Sequence, residues 1–340
     1  MSFKNTKLWK YAKKKRAEHT LKREYLHNKK MPFSHYEEYL VNRTVEMMQR
    51  YDYSKPFAFK VDFSNPVSYT EKMQWLKLYD QNQNKTRFTD KYEVRKYVEH
   101  LLGKKYLVEL ISIDGKDVFD NAKEIDFNKL PNQFVLKCTH GSHMNIVVEN
   151  KSHLSSLDIR HIIRKLNGWL KINYAFWVGL ELQYLSIKPR IIIEKYIGSD
   201  GSLPKDYKFF CYENEVKFLS VNENRGTKNY SETYLDLDFK RLPYAFGYYS
   251  SNESVQKPNN YLEMLKIANI LCVGFKHVRV DLYEINDEVF FGELTFSPGA
   301  GFDFPKPFKF DKELGSLINI DNNIRILNKT YRIENNEECN

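Results

Sequence analysis

Twice in this chain an alternating apolar run is followed, across a short polar turn, by a second such run. The pairs are DYKFFCYENEVKFLSVN at 206–222, broken by ENE, and HVRVDLYEINDEVFFGELTF at 277–296, broken by INDE. Period-two alternation on both sides of a tight turn specifies an antiparallel hairpin, so this half of the chain is committed to an antiparallel sheet. In the second hairpin Val278, Val280 and Leu282 share one face, and Arg279, Asp281 and Tyr283 share the other. An acid and an arginine on one face of an apolar strand cost free energy unless something binds them. Glu293 and Thr295 share a face of the return strand. Two carboxylates and a hydroxyl converging from paired strands suit Mg²⁺, which takes oxygen ligands and bridges substrate phosphates. They also suit a surface hairpin with ordinary salt bridges.

The rest of the chain is patterned differently. Residues 35–100 read as helical, with Ser68 and Glu71 forming a capping box in SYTEKMQWLKLYD and Asp90 and Glu93 repeating that logic in TDKYEVRKYVEHLL. YLVELISI (106–113), NQFVLKC and NIVVEN read as strands. Ser155 or Ser156 caps a helix carrying Ile159, Ile162, Ile163 and Leu166. KPRIIIEKYIG (188–198) is a continuous apolar strand, and YLEMLKIANILCVGF is a helix between the two hairpins. The expected fold is α+β. It comprises a basic segment at 1–34, a helical region at 35–104, a small α/β lobe at 105–195, a larger antiparallel lobe at 196–325 and a polar tail at 326–340.

Composition narrows the classes. The sequence is 42% hydrophobic and 15% aromatic, enough to fill cores and contrary to a disordered chain. No apolar run approaches the roughly 20 residues of a membrane span, and the charged start lacks a signal-peptide segment. Cys138, Cys211, Cys272 and Cys339 form no CxxC pair, so neither a disulfide framework nor a zinc ribbon is indicated, and the cytosol is the expected compartment. The net charge of +9 is local: residues 1–30 hold eleven of the 53 Lys and Arg and two of the 44 acids, leaving 42 of each sign elsewhere. By charge, the body is not a nucleic-acid binder. The basic appendage suits a solvated helix, a peripheral contact with anionic lipid, or a polyanion contact.

Two further stretches carry chemistry. KCTHGSHMN (137–145) delivers Lys137 from a strand into a Gly/Ser/Thr loop, placing a cation and backbone N–H groups around phosphate oxygens. It is not a Walker loop, because the lysine precedes the glycine. Its His140 and His143 are too few for a closed zinc site, with no cysteine or acid at ligand spacing. In KPRIIIEKYI, Glu194 ends an apolar strand where a carboxylate could accept an adenine amino proton. DLD at 236–238 has the letters of a nucleotide-sugar motif but no flanking strand. No Ser/His/Asp or Cys/His nucleophile pattern is present.

In order, a helix start with Asp90 and Lys91, then PNQFVLKCTHGS, KPRIIIEKYI, DYKFFCY and VRVDLYEINDEVFFGELTFSPGAGF resemble the TupA-like ATP-grasp family, over about residues 35–320. That family is associated with bacterial surface polysaccharides of the teichuronopeptide type. The resemblance implies an ATP-grasp fold, two α/β lobes holding ATP between them. It implies that Lys91 and Lys137 contact the phosphates under a loop including Thr139, His140, Gly141 and Ser142. Glu194, with the backbone of Lys195, Tyr196 and Ile197, would hold adenine. Asp281 and Glu293 would ligate Mg²⁺, with Thr295 where many ATP-grasp ligases carry Asn. Arg279 would stand beside the transferring phosphoryl group, Lys208 is a candidate third phosphate or acceptor contact, and the Ser297–Gly301 loop would face the acceptor. His143 and Met144 stand where such loops commonly have glycine.

The implied reaction is carboxylate–amine ligation through an acylphosphate. The implied acceptor is a hexuronic-acid carboxylate of a saccharide or its lipid-linked precursor, with an amino acid or amine as nucleophile. A sugar or polysaccharide kinase needs the same ATP site, and a glycosyltransferase of the same pathway is a third reading. A lipid-linked substrate would give residues 1–30 a use at the inner membrane face. Deleting them is then expected to reduce flotation with anionic liposomes, and unchanged flotation would refute the contact.

Overall fold

The computed structural model describes residues 33–51, 61–80, 82–198, 203–246 and 254–320. Nearly all of the basic segment 1–34 and all of the tail 326–340 lie outside the described residues. Helices are α1 (Phe33–Tyr51), α2 (Tyr69–Tyr79), α3 (Gln83–Thr89), α4 (Glu93–Leu102), α5 (Ser156–Trp169), α6 (Tyr261–Leu271) and α7 (Asp311–Ser316). Strands are β1 (Val118–Phe119), β2 (Phe134–Cys138), β3 (Asn145–Val148), β4 (Ile191–Lys195), β5 (Asp206–Tyr212), β6 (Glu215–Glu223), β7 (Ser231–Leu235), β8 (Ala245–Phe246), β9 (His277–Ile285) and β10 (Glu288–Thr295). No described helix is long and apolar enough to cross a membrane.

The chain divides into two compact units. One comprises the described residues within Met1–Asn82, Asn173–Leu185 and Ser297–Asn340, the other those within Gln83–Ile172 and Ser186–Phe296. This differs from the division expected at 104/105 and 195/196. Phe88, Val94 and Val98 of the expected helical region belong to the hydrophobic core of the second unit, beneath its larger sheet.

That second unit holds two antiparallel sheets, ordered β1-β4-β2-β3 and β10-β9-β5-β6-β7. Both expected hairpins are present as β5–β6 and β9–β10. Each turns on two residues in the left-handed region, Glu213 and Asn214 in one and Asn286 and Asp287 in the other, as two-residue hairpin turns require. Tyr207, Phe209, Val278, Val280 and Leu282 face the core, where Met264, Ile267, Ala268 and Leu271 of α6 pack. The opposite face carries the charged row of Lys208, Arg279, Asp281 and Glu293 beside a buried aromatic cluster of Phe210, Phe218, Tyr234 and Phe246.

Three local expectations are corrected. YLVELISI is not a strand: it follows a short 3₁₀ turn at Lys104–Tyr106 and makes isolated bridges, Leu107 to Phe291, Leu110 to Glu194 and Ile113 to Lys116. Asp90 and Glu93 form no capping box, because α4 starts at Glu93, two residues later than such a box requires; Asp90 accepts from the N–H groups of Tyr92 and Glu93 at 2.8 and 3.3 Å and is bound by Arg190 at 2.8 Å. DLD does follow a strand, β7, but Asp236 accepts from the N–H groups of Asp238 and Lys240 at 2.9 and 2.8 Å, which closes an Asx-type turn.

In the first unit the capping box of Ser68 and Glu71 starts α2 as expected. Helix α7 docks on that start. Asp311 accepts from the Thr70 N–H and hydroxyl, both at 2.9 Å, and Lys72 donates to the carbonyls of Gly315 and Ile318 at 2.8 and 2.7 Å. A Cβ on Gly315 would sit 2.3 Å from the Val67 carbonyl, so only glycine permits this approach. Asp311 is 1% exposed. Burial pushes its carboxyl up to about 6, against the pull of the Thr70 bonds. A raised acid binds a proton in the folded state that the unfolded chain releases, so its share of stability falls as pH rises through about 6. Asp311→Asn should therefore gain stability relative to wild type between pH 5 and pH 8, on the order of 2 kcal/mol. Urea denaturation at the two pH values reads this.

Candidate active site

The charged row of the larger sheet owes its layout to strand register. Lys208 on β5 pairs with Asp281 on β9, and Asp281 pairs with Glu293 on β10. Arg279 pairs with Thr295 across the same hairpin. Strict alternation would turn Glu293 inward with Val289 and Phe291. A bulge between Phe291 and Glu293 adds one residue, Gly292, and reverses the parity, so that Leu294 and Phe296 enter the core while Glu293 and Thr295 face out. The space at Gly292 is closed: a Cβ there would meet the Asp281 carbonyl at 2.9 Å and the Tyr283 ring at 3.1 Å.

The resulting constellation is dense in charge. Lys208 donates to Asp206 and Asp281, each at 2.6 Å. Arg279 grips Asp281 through Nε and Nη2, both at 2.7 Å, and donates to Thr295 Oγ1 at 3.1 Å. Thr295 donates to Glu293 at 3.3 Å, and Lys91 lies 3.8 Å from the same carboxylate. Asp281 is 1% exposed; burial raises its carboxyl, while Arg279 and Lys208 pull it back. Burial also raises the Glu293 carboxyl, but Lys91, Arg279, Lys208 and Lys137 together overcome it and hold the group at about 2. Glu293 keeps 37% side-chain exposure, enough to reach a ligand.

The smaller sheet brings its own charges. Lys137 on β2 is ion-paired with Glu194 on β4, and Arg95 reaches the other oxygen of Glu194 at 3.5 Å. Lys91 ties down the loop: its backbone N–H donates to Thr139 O at 3.2 Å and its ammonium to Gly141 O at 2.8 Å. Thr139 is buried and donates its N–H to Arg190 O at 2.8 Å. His140 is also buried, its Nε2 3.1 Å from Trp169 O. Burial lowers its pKa, with the Trp169 carbonyl opposing. Such a ring anchors the loop. Ser142 is half-buried and His143 exposed, so the two histidines do not converge, and the described residues contain no group of three or more His, Cys, Asp or Glu able to hold a metal.

The bulky loop tip has a physical account. Met144 is buried, its side chain part of the core rather than the tip. His143 alone occupies the tip, at φ 58°, the left-handed region where glycine would be expected. Beyond Glu194, Lys195 is exposed, 3.8 Å from Glu109, while Tyr196 and Ile197 are half-buried. The Tyr196 hydroxyl is buried with no hydrogen-bond partner among the described residues.

The residues fit Mg²⁺ with a polyphosphate. Asp281, Glu293 and Thr295 offer oxygen donors only, and Mg²⁺ needs no more than one or two carboxylates when phosphates complete its shell. Four cations around Glu293 supply the charge a triphosphate demands.

A family model described as TupA-like ATPgrasp matches residues 71–319. Among solved structures the chain is similar to a D-alanine–D-alanine ligase from Helicobacter pylori, at 18% identity and a TM-score of 0.42, over 74% of this chain and 70% of that one. It is similar to the Bacillus anthracis D-alanine–D-alanine ligase complexed with ATP, at 12% identity and 0.39, over 74% and 68%. It is also similar to a RiPP-associated ATP-grasp ligase from Chryseobacterium gregarium in complex with ADP and a leader and core peptide, at 10% and 0.35, over 70% and 61%. None of these three scores is high enough to bear on this chain's reaction. No curated protein matches it.

The bulge generates a direct expectation. Gly292→Ala should shift Glu293 away from Asp281 and cost about 1–3 kcal/mol of stability by overpacking, with nucleotide affinity falling alongside. Calorimetric titration with ATP and Mg²⁺, beside urea denaturation, measures both.

Proposed function

The chain belongs to the TupA-like ATP-grasp family, whose members are ATP-dependent ligases, and on that premise we propose that it couples a hexuronic-acid carboxylate to an amino acid or amine. The observation that supports this most is the row Lys208–Asp281–Glu293 with Arg279 on the same face. It gathers carboxylates for a metal ion and cations for a transferring phosphoryl group on one rigid sheet.

In the first step the acceptor carboxylate attacks the γ-phosphorus of ATP, the bond to the bridging oxygen breaks, and an acylphosphate and ADP form. In the second the amine attacks the acyl carbon and phosphate leaves with the former carboxylate oxygen, the amine's proton passing to solvent. Such chemistry demands positioning and charge neutralisation rather than a protein nucleophile. Lys91 and Lys137 hold the phosphates, with Lys137 leaving Glu194 to do so. Thr139 to Ser142 form the phosphate loop, and Glu194 with the backbone of Lys195 to Ile197 receives adenine. Arg279 and Lys208 neutralise the group in transfer. Asp281, Glu293 and Thr295 hold Mg²⁺, which when bound lowers the charge repelling the attacking carboxylate. The Ser297–Gly301 turn faces the acceptor.

The acceptor is proposed to belong to a surface polysaccharide or its lipid-linked precursor. Screening uronic acids against amino acids, with mass spectrometry of the products, tests this. Amide product and phosphate released only when both substrates are present support the ligase; a stable phosphorylated sugar would make it a kinase. Lys137→Ala should lose ATP binding. Asp281→Asn should lose turnover by about 10²-fold or more while retaining part of its nucleotide affinity; full activity in that variant would refute the metal assignment.

A further inference from the structure

The turn that follows β10, SPGAGF at 297–302, is built from an unusual run of backbone. Gly299, Ala300 and Gly301 all have positive φ, at 56°, 56° and 74°. The middle one carries a side chain, which costs roughly 1 kcal/mol in this region. A local conformation of this kind persists only where surrounding structure holds it. Its internal bonds are few: the Ala300 N–H donates to Ser297 O at 2.9 Å and the Phe302 N–H to Gly299 O at 3.1 Å.

Further ties come from two side chains of α2. Lys77 donates to Ala300 O at 2.7 Å and to Gln74 Oε1 at 2.8 Å, and Gln74 donates to Gly301 O at 2.5 Å. The Lys77 ammonium also lies 4.5 Å from the centre of the Phe302 ring. The fit leaves no slack, since a Cβ on Gly301 would meet Gln74 Nε2 at 2.8 Å and Lys77 Cδ at 3.3 Å. Gln183 donates to Ser297 Oγ at 3.2 Å, fixing the start of the turn. Lys77 is 3% exposed. Sequestering an ammonium in this way is expensive, and a buried apolar residue would serve packing better. The charge is therefore placed for what it holds.

We propose that Lys77, with Gln74, is a positioning residue for the acceptor: it locks the Ser297–Gly301 turn in the left-handed form that acceptor binding uses. The proposal rests on the reading above that this turn faces the acceptor. Burial lowers the Lys77 pKa to about 7, with Glu181 opposing and Arg43 of α1 reinforcing the shift. The other charge beside the turn is the Asp303 carboxylate, packed against Gly299. The grip on Ala300 thus weakens as pH rises through neutrality and the ammonium is lost.

Lys77→Met keeps the length and removes the charge, and urea denaturation reads the stability lost by leaving Glu181 without this cation. Gln74→Leu releases the tie to Gly301 and removes one acceptor of Lys77 while leaving the Lys77–Ala300 bond, and serves as a second variant. Hydrogen exchange of residues 297–303 is expected to accelerate roughly tenfold in each, the loss of one strong hydrogen bond. In Lys77→Met the acceptor KM should rise by a similar factor while the ATP KM holds. The wild-type acceptor KM should rise above about pH 7, and that rise should be absent in Lys77→Met. Unchanged exchange in Lys77→Met overturns the proposal, as does a parallel change in both KM values. Exchange reports on Lys77 independently of turnover. If no carboxylate–amine pair is ever coupled, the ligase reading fails by itself.

Discussion

Everything in the charged row of the larger sheet depends on one buried carboxylate, Asp281, held between Lys208 and Arg279. An unpaired charge at that depth would be costly enough to unfold the sheet or to neutralise the acid. Two cations on the same and the adjacent strand keep it in place, and they bring themselves into the site. Removing both would leave the acid uncompensated, a loss of roughly 3–5 kcal/mol. The same pairing that keeps the strand folded in the absence of ligand supplies the groups that a metal ion and a phosphoryl group would meet. Stability and chemistry share residues here, so they cannot be varied independently.

The neighbouring features follow from that arrangement. Glu293 must reach the face of Asp281 from a strand whose preceding residues point the other way, and the bulge at Gly292 accomplishes this with one extra residue. Lys91 must stand near Glu293 while steadying a loop from the smaller sheet, and it does so by donating to Gly141 through its side chain and to Thr139 through its backbone. In the other unit the turn at Ser297–Gly301 begins two residues after Thr295 in sequence, and its shape is held by Lys77 and Gln74.

Much of this was legible in the sequence where the signal is local. The hairpins at 206–222 and 277–296 announce themselves through alternation and tight polar turns, and the capping box at Ser68 needs only four residues. What escaped was set by distant partners. YLVELISI has the branched composition of a strand but finds only isolated bridges. Strand β7 is short and polar enough at SETYL to pass for loop. That Lys208 bridges Asp206 and Asp281 depends on a register between residues 73 apart in the chain. The Gly292 bulge did leave a trace, the switch of apolar parity from Val289 and Phe291 to Leu294 and Phe296. The ties of Lys77 and Gln74 to residues 300 and 301 left none.

The central claim is that the acceptor carboxylate is activated as an acylphosphate on this face. Mass spectrometry of the released phosphate tests it most directly, with the wild-type enzyme, ATP, an amine and a uronic acid labelled with ¹⁸O in its carboxyl group. The account predicts that one labelled oxygen leaves with each phosphate. Unlabelled phosphate, or label retained on a phosphorylated sugar, would contradict it.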